Sequence, residues 1–343
     1  MVKRVLNLFK RVGKKPAVGL TPADVVYREN KWRLLRYRPS NPMHPRLDSP
    51  ILLVPSLINR HYVLDLMPGK SLVEYLLALG YEVLIIDWGT PTAEDRFLTF
   101  DDVCDKALGR AVRKAASYGK SGKVHLLGYC LGGTLTTIYT AVRPQYVASM
   151  VALAAPIDFH DDGVLAVWMQ NPKFNVDAIV NGYGNVPWQL MQSAFQMMRP
   201  TLNLSKAIGV LDKAWDDPFL DGFFALETWG NDNVSFPGEC FRRYIKELYQ
   251  QNQLVKGEFR LSGRPARLAD IQCPVLAVTF QHDNIVPHVS AGALVPRVGS
   301  ADKQQWDLPG GHVGAVVSRK ASEGLWPALA EWWRQRDEVA RAQ

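Results

Sequence analysis

Residues 128–133 read Gly-Tyr-Cys-Leu-Gly-Gly, and they join a short apolar run at 124–127 to a helical pattern that begins near Thr134. The spacing Gly-x-nucleophile-x-Gly between a strand and a helix is typical of a nucleophile elbow. Such a turn strains its central residue, and glycine two residues away on either side avoids collisions. The dipole of the following helix favours a thiolate at the centre. We therefore predict strand, turn and helix with Cys130 as nucleophile; a glycine-rich turn around a buried structural cysteine is the alternative.

The stretches around this turn alternate between short apolar runs and longer helical patterns. Runs that are short, apolar and bounded by polar residues, glycine or proline are typical of strands buried on both faces. The alternation predicts an α/β protein with a mainly parallel sheet and helices on both faces. The predicted strands are residues 51–55, 82–87, 124–127, 150–154, 275–279 and 305–308, after a leading antiparallel pair at 24–28 and 32–37; the predicted helices are 71–79, 103–116, 134–142 and 325–341.

One region interrupts this alternation. Between residues 159 and 268 the pattern is mainly helical and rich in tryptophan, phenylalanine and methionine. An insertion after one strand and before the next is the place for a cap over an active site, although a helical subdomain with its own core would give the same pattern. We predict a core of residues 1–158 and 269–343 with an inserted helical cap at 159–268.

Two further residues complete a catalytic constellation. Asp283 lies in a loop after the strand at 275–279, and His312 lies in the glycine-flanked loop Pro309-Gly310-Gly311-His312-Val313-Gly314 after the strand at 305–308. The chain order nucleophile, acid, base is that of the α/β-hydrolase fold. The sequence therefore predicts this fold, with Cys130, Asp283 and His312 as the triad.

Other acids and histidines compete for these roles. Asp158 is the rival acid and His282 the rival base, while the position of His125 inside a strand indicates a structural histidine. His61 and His160 have no assigned task. Asp87 is interpreted as a packing carboxylate, and the alternatives for Asp283 and His312 are a turn residue and a loop histidine without a role.

Acyl transfer also needs hydrogen-bond donors for the oxyanion. The backbone N–H of Leu131, directly after the nucleophile, is predicted to be one donor. The second is predicted in the loop Pro55-Ser56-Leu57-Ile58-Asn59-Arg60 after the strand at 51–55, as the backbone N–H of Ile58. Because both donors are backbone groups, the side chains at these positions carry little information.

The composition excludes several other classes of protein. Of 343 residues, 47% are hydrophobic and 21% charged, as in a globular protein with a large core. No apolar run is long enough to cross a bilayer and no secretory signal is recognised, so we expect a cytoplasmic chain. The four cysteines form no CxxC pair, so we expect no metal site. The net charge of +7 is scattered, which gives no reason to predict nucleic-acid binding. Basic and apolar side chains are interleaved in residues 1–15, and this pattern predicts either a solvated helix or an anchor on an anionic or hydrophobic surface.

At this point the motifs resemble those of the polyhydroxyalkanoate synthases, from about residue 32 to 317. Motifs similar to those of the family occur in register along this length: the oxyanion-loop region at 54–60, Leu64-Asp65-Leu66, the stretch 69–76, Asp87-Trp88-Gly89, the cysteine box at 128–133, Trp229-Gly230-Asn231-Asp232, Tyr249, Asn252, and the acid and base positions Asp283 and His312. One departure is Asn284, where the family commonly has a histidine after the catalytic aspartate. Asparagine does not titrate, so an auxiliary proton transfer at this position is in doubt.

The resemblance implies a polymerisation reaction. Enzymes of this family polymerise (R)-3-hydroxyacyl-coenzyme A into a polyester and release coenzyme A, with the thioester as substrate and no cofactor. It implies that His312 activates Cys130 and that Asp283 helps to activate the 3-hydroxyl of the next monomer, directly or through His312. The length of 343 residues resembles the short catalytic subunit of the two-component, class III-like synthases, which requires a second protein subunit. A homodimer is implied, together with association with polyester granules in the cytoplasm through residues 1–15.

Two other functions are compatible with the same residues. A thioesterase or esterase would pass the acyl group from the same triad to water. A non-catalytic granule-associated subunit would keep the fold without the reaction. A thiolate exchanges readily with a thioester because the two sulfur leaving groups are similar in energy, which favours an acyl transferase that uses cysteine.

Overall fold

The apolar runs form one large sheet in the structure, a computed structural model that describes residues 16–39, 47–198 and 202–342. The strands of the large sheet and of two small two-stranded sheets are β1 (Ala23–Glu29), β2 (Trp32–Tyr37), β3 (Ile51–Val54), β4 (Asp65–Met67), β5 (Lys70–Ser71), β6 (Val83–Asp87), β7 (Val124–Tyr129), β8 (Val147–Leu153), β9 (Arg260–Leu261), β10 (Arg264–Pro265), β11 (Val275–Phe280) and β12 (Lys303–Leu308).

The large sheet has eight strands in the order β1-β2-β6-β3-β7-β8-β11-β12. β2 is antiparallel to β1 and to β6, whereas the remaining neighbours are parallel. This confirms the predicted leading pair and the mainly parallel sheet. Because the carboxyl ends of the parallel strands share one edge, the loops after β3, β7, β8, β11 and β12 meet there.

The helices cover both faces of the sheet. They are α1 (Leu72–Ala78), α2 (Leu108–Ala116), α3 (Leu131–Val142), α4 (Val164–Gln170), α5 (Val176–Tyr183), α6 (Trp188–Met197), α7 (Leu202–Asp212), α8 (Asp217–Asn231), α9 (Gly238–Arg243), α10 (Gln253–Lys256), α11 (His288–Gly292), α12 (Gly314–Val317) and α13 (Trp326–Ala342). Short 3₁₀ segments cover His61–Leu64, Ala93–Phe97, Pro144–Tyr146 and Leu268–Asp270, and π-helical segments cover Asp102–Ala107, Tyr244–Gln250 and Ala321–Leu325. None of the helices in the described part of the chain is long and apolar enough to span a membrane.

Alternation along the strands divides the core into two apolar clusters. In β3, Leu52 and Val54 belong to the cluster under α2 and α3, whereas Ile51 and Leu53 belong to the cluster under α1 and α13. Successive side chains of a strand point to opposite faces, so each face of the sheet buries one cluster. All four side chains of β3 are fully buried, as expected for a central strand of a parallel sheet.

The predicted helices are all present, with shifted ends. The helix after the elbow begins at Leu131 rather than at Thr134, because the tight turn leads directly into the helix. The segment predicted as a helix from 103 to 116 begins with a π-helical stretch before α2. α1 begins as expected from its sequence, with the Ser71 hydroxyl accepting the N–H of Glu74 at 3.0 Å.

Helices α4 to α10 occupy the chain between β8 and β11, where the cap was predicted. Several of their side chains, including Ala166, Val180 and Phe241, belong to the same apolar cluster as α2 and α3. Ala225 and Trp229 of α8 belong to the cluster under α1 and α13, so the helical segment contributes to both apolar clusters. The boundaries at 158/159 and 268/269 stay a prediction, and the N-terminal stretch 1–15 lies outside the described residues.

The last helix is tied to the middle of the sheet by a buried carboxylate. Asp337 of α13 accepts the backbone N–H groups of Asp48 (2.7 Å) and Ser49 (3.1 Å), which precede β3. Its Oδ1 also lies 3.5 Å from Nε2 of His125 in β7. His125 is buried and its Nδ1 is 2.8 Å from the hydroxyl of Ser149, contacts that fit a structural histidine.

Candidate active site

Cys130 stands at the turn between β7 and α3 in an unusual backbone conformation. Its φ is 55° and its ψ is −129°, a region that residues other than glycine rarely adopt. Its backbone N–H donates to the carbonyl of Leu153 (3.0 Å), and its own carbonyl accepts the N–H of Gly133 (2.8 Å). The surrounding structure thus fixes the strained turn, and strain of this kind is typical of functional sites.

Both glycines of the motif are required by close backbone contacts. A Cβ atom at Gly128 would lie 2.4 Å from the Cα of Gly133, and one at Gly132 would lie 2.0 Å from the carbonyl oxygen of Val54. The collision at position 132 is therefore with the end of β3 and not with the other side of the turn. As a result, the start of the predicted oxyanion loop packs directly on the nucleophile turn.

The structure brings His312 and Asp283 together. Nδ1 of His312 lies 2.6 Å from Oδ2 of Asp283, while Oδ1 of Asp283 accepts the N–H groups of Ile285 (2.9 Å) and Val286 (2.8 Å). The side chains of His312 and Asp283 are 8% and 1% exposed, so this pair is shielded from water. Tyr129 contacts the histidine in two ways. Its ring stacks on the imidazole with the ring centroids 5.3 Å apart, and its hydroxyl donates to the His312 carbonyl (3.1 Å).

The charge of His312 is set by its two neighbours. Burial alone lowers the pKa of the imidazole, but the negative charges of Cys130 and Asp283, and hydrogen bonds to both, raise it from 6.5 to about 10. Because Nδ1 is bonded to Asp283, the nitrogen that faces Cys130 is Nε2. The site therefore favours a protonated imidazole between Asp283 and Cys130.

The rival residues have other partners. Oδ1 of Asp158 accepts the side-chain amide of Asn252 (2.8 Å), and His282 is exposed on the loop before Asp283. Asp87 bonds Nε of Arg33 (3.0 Å) and lies 3.5 Å from Nδ1 of His61, as expected of a packing carboxylate.

His160 contacts the carbonyl of Tyr249 at 3.1 Å. Cys130, His312 and Asp283 stay the predicted triad, and the structure brings His312 and Asp283 into contact.

The predicted oxyanion loop lies beside the elbow. The carbonyl of Pro55 accepts the indole N–H of Trp88 (3.0 Å), and Ile58 is half-buried with its carbonyl accepting the N–H of Val234 (3.1 Å). Leu131 is buried at the start of α3. The N–H groups of Leu131 and Ile58 stay the predicted donors.

The sequence reasoning missed one residue beside the nucleophile. Tyr244 and Tyr249 lie in the segment predicted to be the cap, and burial is the main cause that raises the pKa of both phenols. The charge of Cys130 raises the pKa of both phenols further. Tyr249 was quoted as part of a motif, but no local signal marks Tyr244. Together with Phe159, these rings form an edge-to-face aromatic cluster.

The residues that the structure describes include no cluster of three or more histidine, cysteine, aspartate or glutamate side chains arranged to hold a metal ion. A cavity of about 360 Å³ opens beside the oxyanion loop, with Trp32, Leu57 and Trp88 in its wall. Cys130 is not among its lining residues, so this cavity is distinct from the site at the elbow.

Comparisons with known proteins identify the fold and the family of the chain. Residues 49–313 match the family model described as the alpha/beta hydrolase fold, and residues 7–76 match the model described as the N-terminus of poly-beta-hydroxybutyrate polymerase. The chain is 35% identical over 320 residues to a poly(3-hydroxyalkanoate) polymerase subunit PhaC of Allochromatium vinosum, covering 93% of this chain and 90% of that protein. It is 34% identical over 325 residues to the protein of the same name from Haloferax mediterranei, covering 94% of this chain and 66% of that one.

The solved structures show the fold alone. A variant of the monoglyceride lipase of Saccharomyces cerevisiae superposes with a TM-score of 0.59 at 14% identity, covering 93% of this chain and 96% of the lipase. A non-heme bromoperoxidase of Mycobacterium tuberculosis gives a TM-score of 0.56 at 14% identity, covering 91% and 99%. These neighbours confirm the predicted α/β-hydrolase fold.

Proposed function

The chain belongs to the poly(3-hydroxyalkanoate) polymerase family, and we propose that it polymerises (R)-3-hydroxyacyl groups from coenzyme A thioesters into a polyester. The observation that carries the proposal is a cysteine, rather than a serine, at the strained elbow position, beside the buried His312–Asp283 pair. A thiolate exchanges with a thioester at little cost in energy, so the acyl group can be held on the enzyme between additions.

In the proposed first step, the thiolate of Cys130 attacks the thioester carbonyl. The tetrahedral oxyanion accepts hydrogen bonds from the backbone N–H groups of Leu131 and Ile58. The carbon–sulfur bond to coenzyme A then breaks, and the imidazolium of His312 gives its proton to the departing thiolate. The acyl group remains on Cys130, and His312 is left neutral to serve as a base.

In the elongation step, the 3-hydroxyl of a second hydroxyacyl-coenzyme A attacks the acyl carbon held on Cys130, and neutral His312 removes the hydroxyl proton. The carbon–sulfur bond to Cys130 then breaks, so the lengthened acyl chain stays on coenzyme A and the thiolate of Cys130 is restored beside the protonated His312. Asp283 acts through His312 and not directly on the substrate. This is supported by its contacts, since both carboxylate oxygens are hydrogen-bonded and the side chain is 1% exposed. A direct role would require one of these hydrogen bonds to break.

The acyl-enzyme must be protected from water for the chain to grow. The aromatic rings of Phe159, Tyr244 and Tyr249 are buried and packed against one another. We propose that this wall excludes water and contacts the apolar polyester. Asn284, on the surface, has no assigned role in proton transfer.

The remaining assignments follow from family membership. The chain spans 66% of the length of the Haloferax relative and 90% of the Allochromatium relative, both of which are described as subunits. We propose that it works with a second protein subunit, as a homodimer, on polyester granules in the cytoplasm. The thioester is the substrate and we propose no resident cofactor.

Product analysis tests the proposal. Purified protein is incubated with 3-hydroxybutyryl-coenzyme A, alone and with the candidate partner subunit, and both coenzyme A and acyl products are quantified. Polymerisation releases coenzyme A together with oligomers that remain insoluble or enzyme-bound. Release of coenzyme A with free hydroxy acid and without oligomers would show a thioesterase. No release with either preparation would favour a non-catalytic subunit.

A further inference from the structure

The oxyanion loop, residues 55–60, is held at its two ends by different parts of the molecule. Its beginning is fixed by the core: the Trp88 indole donates to the carbonyl of Pro55 (3.0 Å), and the carbonyl of Val54 packs against Gly132. These contacts place the start of the loop on the nucleophile turn. They do not reach Ile58, whose N–H is the proposed second oxyanion donor.

The part of the loop that carries Ile58 is paired with the cap. Asn59 forms an isolated antiparallel bridge with Asn233, directly after α8. The N–H of Val234 donates to the carbonyl of Ile58 (3.1 Å), and the side-chain amide of Asn59 donates to that of Asn233 (2.5 Å). The peptide unit at Ile58 is thus hydrogen-bonded to a segment that lies about 170 residues later in the chain.

Two side chains of the same cap segment hold the end of the loop. The buried Trp229 donates its indole N–H to the carbonyl of Arg60 (2.8 Å). The carboxylate of Asp232 accepts Nε of Arg60 (3.0 Å) and the hydroxyl of Tyr62 (2.8 Å). The Arg60–Asp232 pair is 26% and 43% exposed, so its value as an ion pair is small. Its hydrogen bonds nevertheless fix the direction in which the loop leaves Ile58.

We propose that Trp229 and Asp232 are positioning residues that complete the oxyanion hole from the cap. The N–H of Ile58 points at the oxyanion only while the segment 229–234 is docked on the loop. When the cap moves away, the same loop atoms bond to water and the donor loses its fixed direction. This inference rests on the proposed acyl-transfer function, because it assigns a task to the loop of that same site.

The mechanism of an oxyanion hole provides a selective test. Acylation passes through a tetrahedral oxyanion, whereas alkylation of a thiolate by iodoacetamide does not. A displaced Ile58 therefore slows acylation of Cys130 and leaves its alkylation unchanged. Damage to the Cys130–His312 pair, or general unfolding, slows both reactions.

The variants are Asp232→Ala, which removes the acceptor for Arg60 and Tyr62, and Trp229→Phe, which removes the indole donor and keeps an aromatic ring. Their matched control is Asp101→Ala. Asp101 also joins core to cap, through Nη1 of Arg243 (2.7 Å), but this ion pair does not involve the oxyanion loop. All three are prepared as the full chain and compared with the wild type.

Acetylation of Cys130 by p-nitrophenyl acetate is followed by mass spectrometry, with iodoacetamide alkylation in parallel. A misplacement of about 1 Å can cost roughly 100-fold in rate, so we expect Asp232→Ala and Trp229→Phe to slow acetylation at least about 10-fold. Alkylation should change less than about twofold in both. Asp101→Ala should leave both rates within about twofold of the wild type, and Asp232→Glu should recover part of the lost rate.

Wild-type acetylation rates in both variants, or an equal loss of acetylation and alkylation, would overturn the inference. An acetylation defect as large in Asp101→Ala as in Asp232→Ala would also overturn it, because any loss of cap docking would then suffice. The simple ester keeps this test separate from the proposed function. If the wild type acetylates but makes no polyester from 3-hydroxybutyryl-coenzyme A, the polymerase proposal fails and the coupling is still measured.

Discussion

Replacing Asp283 by asparagine tests how the His312 imidazole is oriented. The two carboxylate oxygens have different partners: Oδ1 accepts the N–H groups of Ile285 and Val286, and Oδ2 accepts Nδ1 of His312. Asparagine has one oxygen only. If that oxygen stays with the two backbone donors, the amide NH₂ faces Nδ1, which must then be the unprotonated nitrogen. The imidazole proton moves to Nε2, and a neutral histidine in this form cannot take a proton from the thiol of Cys130.

The size of the effect follows from the cost of the opposite orientation. Turning the amide over would place its NH₂ against two buried N–H groups and leave both without an acceptor. Each buried donor without a partner costs about 1–3 kcal/mol, so the inactive tautomer is favoured by about 2–6 kcal/mol. Since 1.36 kcal/mol is a factor of ten in rate, we expect Asp283→Asn to slow acylation by roughly 30-fold to about 10⁴-fold.

Rapid-quench acylation by 3-hydroxybutyryl-coenzyme A, with mass spectrometry of Cys130, measures this step before any elongation. Asp307→Asn is the control, because its carboxylate in β12 accepts the hydroxyl of Thr279 (2.8 Å) and is not one of the proposed triad residues. The control should stay within about twofold of the wild type. Acylation by Asp283→Asn within about threefold of the wild type would refute the reasoning, and a loss in Asp158→Asn instead would identify the rival acid.

Four other outcomes are expected. Cys130→Ala should form no acyl-enzyme by mass spectrometry, and a labelled adduct on this variant would show that another residue is the nucleophile. The charge of Cys130 is the largest cause that raises the pKa of His312 to about 10, so histidine NMR should show this imidazole titrating at lower pH in Cys130→Ala. The pKa of His312 in the folded protein, about 10, exceeds the ordinary value of 6.5, so protonated His312 stabilises the folded state. This contribution is complete below about pH 6.5 and is lost as the pH rises through about 10. Urea unfolding at a series of pH values should show this loss in the wild type and not in His312→Gln. Gly132→Ala should destabilise the fold by about 1–3 kcal/mol, because its methyl group would lie 2.0 Å from the Val54 carbonyl, whereas Gly209→Ala, with open space around it, should not.

Most of the sheet and the location of the site were predictable because their signals are local. The run at 124–127 and the glycines beside Cys130 predicted a strand that enters a tight turn, and the structure has both. The carboxyl ends of parallel strands meet at one edge, so the loops that carry Asp283 and His312 were expected near the elbow. In the structure, Nδ1 of His312 lies 2.6 Å from Oδ2 of Asp283, so the two loops do meet.

The contacts between the cap and the oxyanion loop were not predictable in the same way. Asn59 and Asn233 are 174 residues apart, and neither lies in a periodic pattern that indicates a partner. Tyr244 lies in an aromatic-rich segment where every ring could equally be core. The start of α3 at Leu131 also differs from the expected Thr134, because glycines at 132 and 133 lower the helical signal although the turn geometry requires them.

The buried carboxylate of Asp337 has a consequence for how this chain is made. A protein leaves the ribosome from its N-terminus, so β3 and β7 emerge long before the helix that holds the residues ahead of β3 and bonds His125. A nascent chain ending at residue 325 would contain every member of the proposed triad and still lack this brace. We expect such a stalled chain to remain sensitive to protease and to become resistant once residues 326–342 have emerged, so folding of the core waits for α13.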